Sequence, residues 1–133
     1  MSDKIAFELV SPTKKLIDKQ VTLVTVPGSE GDFGVLPGHA PMIATVRPGV
    51  IEVYENEQIS ERIFVAGGFA EITDKRCTVL AAEAMPVSEL SREGLEEQGK
   101  KLEDAMGNAA SMAEQEALGE KLAVFQAKLA AVS

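Results

Sequence analysis

Few residues suited to metal, redox or stacking chemistry occur in this chain of 133 residues: one cysteine, one histidine, no tryptophan and 5% aromatic residues in total. The single Cys77 excludes an internal disulfide and a cysteine-based zinc site. With His39 as the only histidine, a transition-metal site is disfavoured as well. The shortage of aromatic rings also argues against a module that recognises sugars or peptides by stacking.

Positive charge is also scarce, with 13 Lys and Arg against 21 Asp and Glu and a net charge of −8. Nucleic acid is therefore disfavoured as a partner, because phosphate binding needs clustered cations. No apolar run approaches the length of a membrane-spanning helix, about 18 residues. The first residues show no signal or transit peptide, so we expect a cytoplasmic location. The hydrophobic share of 45% is nevertheless typical of a folded domain.

Residues 1–86 have the pattern of β-structure. Ile5, Phe7 and Leu9 alternate with other residues as on a half-buried strand, and turn signals recur about every 8–12 residues. Strands are predicted at 5–10, 21–26, 42–46, 50–54, 59–65, 69–72 and 77–80, with hairpin turns at 55–58 and 73–76. This spacing is typical of an antiparallel sandwich or barrel, and we predict an all-β sandwich.

Residues 87–133 change to a helical pattern, without proline and rich in Ala, Glu, Leu, Lys and Gln. Ser88 is predicted to cap a first helix, which Gly94 and Gly99 weaken. Ser111 and Glu114 fit the capping box of a second helix. An apolar stripe then follows at helical spacing: Leu118, Leu122, Phe125, Leu129 and Val132. Beside that stripe, Gly119 could permit close packing.

A helical hairpin of this size cannot build much core by itself. We therefore expect it to dock on the sandwich or on another protein with modest energy. Such a segment is a candidate moving part of the molecule.

No motif indicates an active site. The glycine-rich segment 28–34 lacks the Lys-Ser/Thr ending of a phosphate-binding loop, so we predict an irregular loop with an exposed Phe33. His39 has no nucleophile or second acid–base group assigned to it, and we predict a structural role in a Pro-Gly turn. Cys77 is predicted to be a small buried apolar residue. Gly67-Gly68 indicates a bulge or a close backbone approach.

Two segments in register carry a resemblance to a known family. Residues 27–42, continued by Val46-Arg47-Pro48-Gly49, and residues 65–72 resemble the signature of the epsilon subunit of bacterial F-type ATP synthase, whose mitochondrial counterpart is called delta. The resemblance implies an N-terminal ten-stranded antiparallel β-sandwich, residues 1–86, followed by a C-terminal two-helix antiparallel hairpin, residues 87–133.

The resemblance also implies a function. Members of this family are non-catalytic central-stalk subunits that bind the gamma subunit and the c ring and couple proton flow to ATP synthesis. The implied location is peripheral, on the cytoplasmic face of the bacterial inner membrane. By position, Glu30, Asp32, Phe33 and His39 resemble the residues with which the family contacts the polar loops of the c ring. No cofactor or metal is implied.

The helical tail departs from the family in two respects. Some members bind ATP through an Ile/Leu-Asp-x-x-Arg-Ala motif, and here Ser91, Gly94 and Leu95 replace its Asp, Arg and Ala. Losing the arginine removes a bidentate charged partner, so we predict no useful ATP binding.

Extended inhibitory tails in the family reach acidic loops of the alpha and beta catalytic subunits with basic residues. The tail here has 5 basic against 9 acidic residues, a net charge of −4 by subtraction. Local contacts could still come from its lysines, Lys100, Lys101, Lys121 and Lys128. We predict weak or absent inhibition of ATP hydrolysis.

Two other classes of function compete with this interpretation. A free-standing binding sandwich would act without gamma, and an enzyme would need a convergent set of catalytic groups. Copurification with gamma and the catalytic subunits distinguishes the three.

Overall fold

The structure is a computed structural model that describes residues 4–132. A β-rich part of eight strands is followed by a single 3₁₀ turn, Val87–Glu89, and two helices. The strands are β1 Ile5–Val10, β2 Lys15–Val21, β3 Leu23–Gly28, β4 Gly31–Val35, β5 Met42–Thr45, β6 Gly49–Glu55, β7 Gln58–Ile72 and β8 Arg76–Pro86. The helices are α1 Arg92–Gly107 and α2 Met112–Val132.

The eight strands form one sheet in the order β2-β1-β8-β7-β6-β3-β4, with β5 added on β7. Strand β7 is long enough to pair with β6 through residues 58–65 and with β5 through residues 69–72. The sheet thereby folds over itself into two layers around one apolar core. That core holds Phe7, Leu9, Val24, Ile51 and Val79, among others, each fully buried.

The predicted β-sandwich is confirmed in its architecture but not in its strand count or its strictly antiparallel pairing. The sheet has eight strands and is mixed, because β1 and β8 run parallel from Ala6↔Arg76 to Val10↔Leu80. The predicted strands 59–65 and 69–72 form one continuous strand, β7, which lowers the count.

Two strands lie where the sequence did not predict them. Strand β2 carries three charged residues, Lys15, Asp18 and Lys19, as is typical of a strand at the edge of a sheet. Strand β4 contains two glycines and an aspartate, and it forms because it pairs with β3 from Val24↔Val35 to Gly28↔Gly31. The segment 28–34 is therefore a β-hairpin, and the prediction of an irregular loop was wrong.

The predicted hairpin turns are confirmed, and so is the close backbone approach predicted at Gly67-Gly68. Asn56 and Glu57 both have positive φ, as the tight turn between β6 and β7 requires. Gly68 has φ +101°, and a Cβ on it would lie 1.8 Å from the carbonyl oxygen of Leu80. Only glycine fits there, because β7 and β8 approach each other closely at the bend.

Helix α1 begins about one turn later than predicted, whereas α2 begins where it was predicted. Ser88 lies in the 3₁₀ turn, and Ser91 is the residue whose hydroxyl accepts from the Gly94 amide, at 3.2 Å. Leu90 is extended and separates the turn from the helix. In α2 the Ser111 hydroxyl accepts from the Glu114 amide at 3.2 Å, as the capping box predicts.

The helical hairpin has its own small core, separate from that of the sandwich. Leu95 and Leu102 of α1 pack with Phe125 of α2, and the predicted stripe joins them through Leu118, Leu122, Leu129 and Val132. The glycine that permits close packing is Gly99, because a Cβ there would lie 2.6 Å from the Phe125 ring. Gly119, predicted for that role, has nothing within 4 Å of its Cβ position.

The helical hairpin docks on the sandwich through a face of α2 that does not carry the apolar stripe. The ammonium group of Lys128 lies 2.6 Å from the Glu83 carboxylate and 5.5 Å from the centre of the Phe64 ring. Ile63 and Val65 point into the sandwich core, so Phe64 points to the outside of the sheet, yet it is fully buried. A cation–π contact and one ion pair thus hold the tail over Phe64.

Candidate partner-binding site

The predicted contact residues lie mostly on the β3–β4 hairpin. Ser29 and Glu30 form its exposed tip, and Asp32 follows on β4. The amide of Ser29 donates to the Thr45 carbonyl at 2.9 Å, which places the tip beside β5. A surface groove of about 490 Å³ runs between the hairpin, residues 28–33, and β5, residues 42–45.

The side chain of Arg47 stabilises this hairpin through hydrogen bonds. Its Nη1 donates to the Gly28 carbonyl at 2.6 Å, and its Nη2 lies 2.5 Å from the Asp32 carboxylate. Its own amide donates to the Pro27 carbonyl at 2.9 Å. Sequence reasoning did not single out this residue for a role, although it lies within the Arg-Pro-Gly segment that carries the resemblance.

The two acidic residues of the hairpin differ in their surroundings. Asp32 is paired with Arg47, although its side chain is 70% exposed. Glu30 is exposed and has no ion pair within residues 4–132. The hairpin therefore presents one compensated and one uncompensated carboxylate to its surroundings.

Phe33 and His39 do not extend freely from the surface. Phe33 is half-buried against the sandwich core, and its ring leaves no room for a side chain at Gly28. The prediction of an exposed Phe33 was therefore wrong. His39 lies in the loop between β4 and β5, where its Nδ1 is 2.7 Å from the Ala40 carbonyl oxygen and its amide donates to Leu36. It does not line the groove beside the hairpin.

A second exposed surface, which the sequence analysis did not identify, lies on the outside of the sheet. Val10, Leu80 and Phe69 lie in one row across β1, β8 and β7, and Ile43 lies diagonally next to Phe69 on β5. Ile43 is 72% exposed, Phe69 44% and Leu80 41%. Contiguous exposed apolar residues of this kind mark interaction surfaces. We call these four residues the outer apolar row.

The positions of the degenerate nucleotide motif have structural roles. Ser91 caps α1, and the Gly94 amide donates to that cap. Leu95 is 4% exposed in the small core of the hairpin. The Ser91 hydroxyl and the Gly94 amide therefore stabilise the start of the helix, and the Leu95 side chain contributes to its packing.

Cys77 is fully buried in the sandwich core, as predicted. Burial raises the pKa of its thiol from 9.0 to about 12, because the thiolate would lose its hydration there. At neutral pH the thiol is protonated, which makes it a poor nucleophile.

Neither a metal site nor a membrane span is found in the described part of the chain. No cluster of three or more potential metal-ligating side chains occurs within residues 4–132. Over the same residues, neither helix combines the length and the apolar character needed to span a membrane.

The comparisons with known proteins identify one family throughout. The family described as "ATP synthase, Delta/Epsilon chain, beta-sandwich domain" matches residues 4–87. The ATP synthase epsilon chain of Rhodospirillum centenum is 54% identical over 97% of this chain and 92% of its own length. That of Paramagnetospirillum magneticum is 50% identical over the full length of both chains.

A solved structure supports the same fold. A chain in the cryo-EM structure of Euglena gracilis mitochondrial ATP synthase, OSCP/F1/c-ring, superposes with a TM-score of 0.88 and 24% identity, over 100% of this chain and 84% of that one. At that identity the likeness concerns the fold alone. From the matched sandwich and the relatives that are half identical over the whole length, we conclude that this chain belongs to the ATP synthase delta/epsilon chain family.

Proposed function

We propose that the chain is a non-catalytic subunit of the central stalk of an F-type ATP synthase, which turns with the rotor and couples proton flow to ATP synthesis. Family membership over the sandwich and the helical tail is the observation that carries the proposal.

The outer apolar row is the surface that we assign to the gamma subunit. It combines a phenylalanine, a leucine and an isoleucine on neighbouring strands of a rigid sheet. A buried aromatic anchor surrounded by apolar side chains that exclude water is typical of the energetic centre of a protein interface. A stalk subunit must hold its shaft firmly enough to turn with it, so an apolar contact is suited to gamma.

The β3–β4 hairpin is the surface that we assign to the c ring, with Glu30 and Asp32 as its charged residues. Exposed ion pairs to ring loops would each contribute about 0–1 kcal/mol. We assign His39 and Phe33 a supporting role. His39 lies in the loop after β4, and the Phe33 side chain packs from the hairpin against the sandwich core. Ring contact would therefore be weak and polar, in contrast to the contact with gamma.

The division at residue 86 is proposed to separate two roles. Residues 1–86 would bind the stalk and residues 87–133 would form a docked tail with weak or no inhibitory effect on ATP hydrolysis. The tail keeps its net charge of −4, which disfavours contact with acidic loops of alpha and beta. We place the subunit peripherally on the cytoplasmic face of a bacterial inner membrane, where gamma and the c ring meet.

Copurification of a tagged chain with gamma tests the proposal. The double substitution Phe69→Glu/Leu80→Glu should reduce recovery of gamma at least about tenfold, because two charges would be buried in the interface. Ile59→Glu is the matched control, since Ile59 is also exposed, at 46%, but lies outside the outer apolar row. Recovery of gamma that is equal for all three chains would contradict the assignment of the row, and no recovery with the unaltered chain would contradict the function.

Two further measurements concern the tail. Titration with micromolar ATP should give no saturable heat, because the arginine position of the nucleotide motif is Gly94. Deletion of residues 87–133 should leave ATP hydrolysis by the assembled enzyme nearly unchanged. A large rise in hydrolysis would show that the tail inhibits after all.

A further inference from the structure

We propose that Arg47 is the positioning residue of the ring-contact hairpin: its guanidinium group fixes the direction in which Asp32 and the tip of the hairpin face their partner. This inference rests on the proposed function, and it extends it from a surface to a residue that does not itself contact the ring. The anticipated partner groups are cationic or polar side chains on the loops of the ring.

The contacts of Arg47 join both arms of the hairpin to a third segment of the chain. Gly28 ends β3 and Asp32 lies on β4, and the same guanidinium donates to both, at 2.6 and 2.5 Å. The Arg47 amide adds a bond to Pro27, next to Gly28. Three bonds from one residue therefore hold both strands of the hairpin next to its turn.

Apart from the Arg47 bonds, the turn end of the hairpin is held by the bond from the Ser29 amide to the Thr45 carbonyl and by a bridge between Gly28 and Val46. Strand β4 is the last strand of the sheet and pairs only with β3. The turn is flanked by Gly28 and Gly31, and Gly31 adopts φ +134°. Glycine-flanked turns at a sheet edge have small opening energies unless other contacts restrain them.

Arginine is suited to this role by its shape as well as by its charge. Its planar fork directs two N–H groups at two separate acceptors, the Gly28 carbonyl and the Asp32 carboxylate. A lysine would keep the positive charge near Asp32 but would lack the fork. Substituting lysine for Arg47 thus distinguishes positioning of the hairpin from simple neutralisation of the Asp32 charge.

The two roles predict different outcomes. If Arg47 positions the hairpin, Arg47→Lys and Arg47→Gln should both impair ring contact. If Arg47 only screens Asp32, Arg47→Lys should be neutral, and Arg47→Gln should strengthen attraction to a cationic ring loop. Arg62→Gln is the matched control, because Arg62 is also an exposed arginine paired with a carboxylate, that of Glu52 at 3.6 Å, but lies on β7 outside the hairpin.

The experiment uses the full chain in the assembled ATP synthase. Proton pumping per ATP hydrolysed is measured for the unaltered chain, Arg47→Lys, Arg47→Gln and Arg62→Gln. We expect both Arg47 variants to lower this ratio about fivefold, the effect of one lost exposed ion pair, and Arg62→Gln to change it less than about twofold. Amide hydrogen exchange in the isolated full chain should speed up about tenfold at residues 29–32 in both Arg47 variants, with little change in the thermal midpoint.

Each result bears on the inference. Unchanged exchange at residues 29–32, or normal pumping with Arg47→Lys, would overturn the positioning role even where the variants enter the complex normally. An equal loss with Arg62→Gln would also overturn it, because the effect would then follow the loss of any exposed arginine. Failure of the unaltered chain to enter the complex would instead contradict the proposed function itself.

Discussion

The sandwich and the helical hairpin differ most in how much each can stabilise itself. Among the described residues, eighteen buried side chains form one core cluster in the sandwich, whereas three form the core of the hairpin. The sandwich can therefore fold and bind with a fixed surface. The hairpin relies in addition on Lys128, which contacts Glu83 and Phe64 of the sandwich. We therefore expect a rigid body and a weakly docked appendage in one chain, and each prediction below tests that difference.

The largest effect is expected at the bend of β7. Gly68→Ala should destabilise the sandwich by more than about 4 kcal/mol, because the new Cβ would lie 1.8 Å from the Leu80 carbonyl oxygen at a φ of +101°. Urea unfolding followed by circular dichroism measures the change. Gly31→Ala is the control, since that position also has positive φ but nothing within 4 Å, and it should cost about 1–3 kcal/mol. Similar midpoints for the two variants would contradict the close approach of β7 and β8.

Alkaline pH should weaken the sandwich through Cys77. The folded-state pKa of about 12 lies above the ordinary value of 9.0, so the folded state holds the proton more tightly than the unfolded state. The contribution of the protonated Cys77 thiol to the free energy of unfolding is fully present below pH 9. It is lost as pH rises towards 12, by up to about 4 kcal/mol. Stability curves of the unaltered chain and Cys77→Ala should therefore converge with rising pH. Parallel curves would show that the thiol is solvated.

Within the hairpin, two glycines should respond in opposite directions. Gly99→Ala should destabilise it by about 2 kcal/mol, because the new methyl group would meet the Phe125 ring at 2.6 Å. Gly119→Ala should stabilise α2 by up to about 1 kcal/mol, since no atom lies within 4 Å and alanine favours helix. Hydrogen exchange in α1 and α2 gives both values, and equal effects would contradict the packing of Phe125 on Gly99.

The smallest effect is expected at the contact between the two parts. Lys128→Met keeps the aliphatic stem but removes the charge, so tail docking should weaken by about 1 kcal/mol. Exchange should increase at the α2–sandwich contact, while the sandwich core keeps its protection. Lys121→Met is the control on the exposed side of α2. Loss of protection throughout the sandwich would show that the two parts unfold together.

The sequence predicted those parts of the fold that depend on local pattern. Alternation placed β1 and most other strands, and the helical stripe of α2 and its capping box are confirmed. Strand β4 escaped prediction because its glycines have low strand propensity and its pairing with β3 decides the outcome. The N-cap of α1 moved from Ser88 to Ser91 because either serine suits a cap, and the local chain path selects between them.

The candidate site was predictable only as far as the family resemblance reached. The resemblance pointed to the β3–β4 hairpin. The pairing of Asp32 and the burial of Phe33, however, depend on contacts with Arg47 and with core residues that are distant in sequence. The outer apolar row has a weak local signal, since Phe69 and Leu80 alternate with the buried Ala70 and Val79. The alternation of residues along a strand indicates which residues share a face of the sheet. It does not indicate whether an apolar face is exposed to solvent.

Affinity of the isolated sandwich for the stalk tests the division of labour most directly. Residues 1–86 and the full chain, both with Phe64→Thr to avoid exposing that ring, are titrated into an ATP synthase F1 assembly that lacks this subunit. The two dissociation constants should agree within about twofold, because the surfaces assigned to gamma and the ring lie on the sandwich. A loss of more than about tenfold on removing the tail would contradict the account.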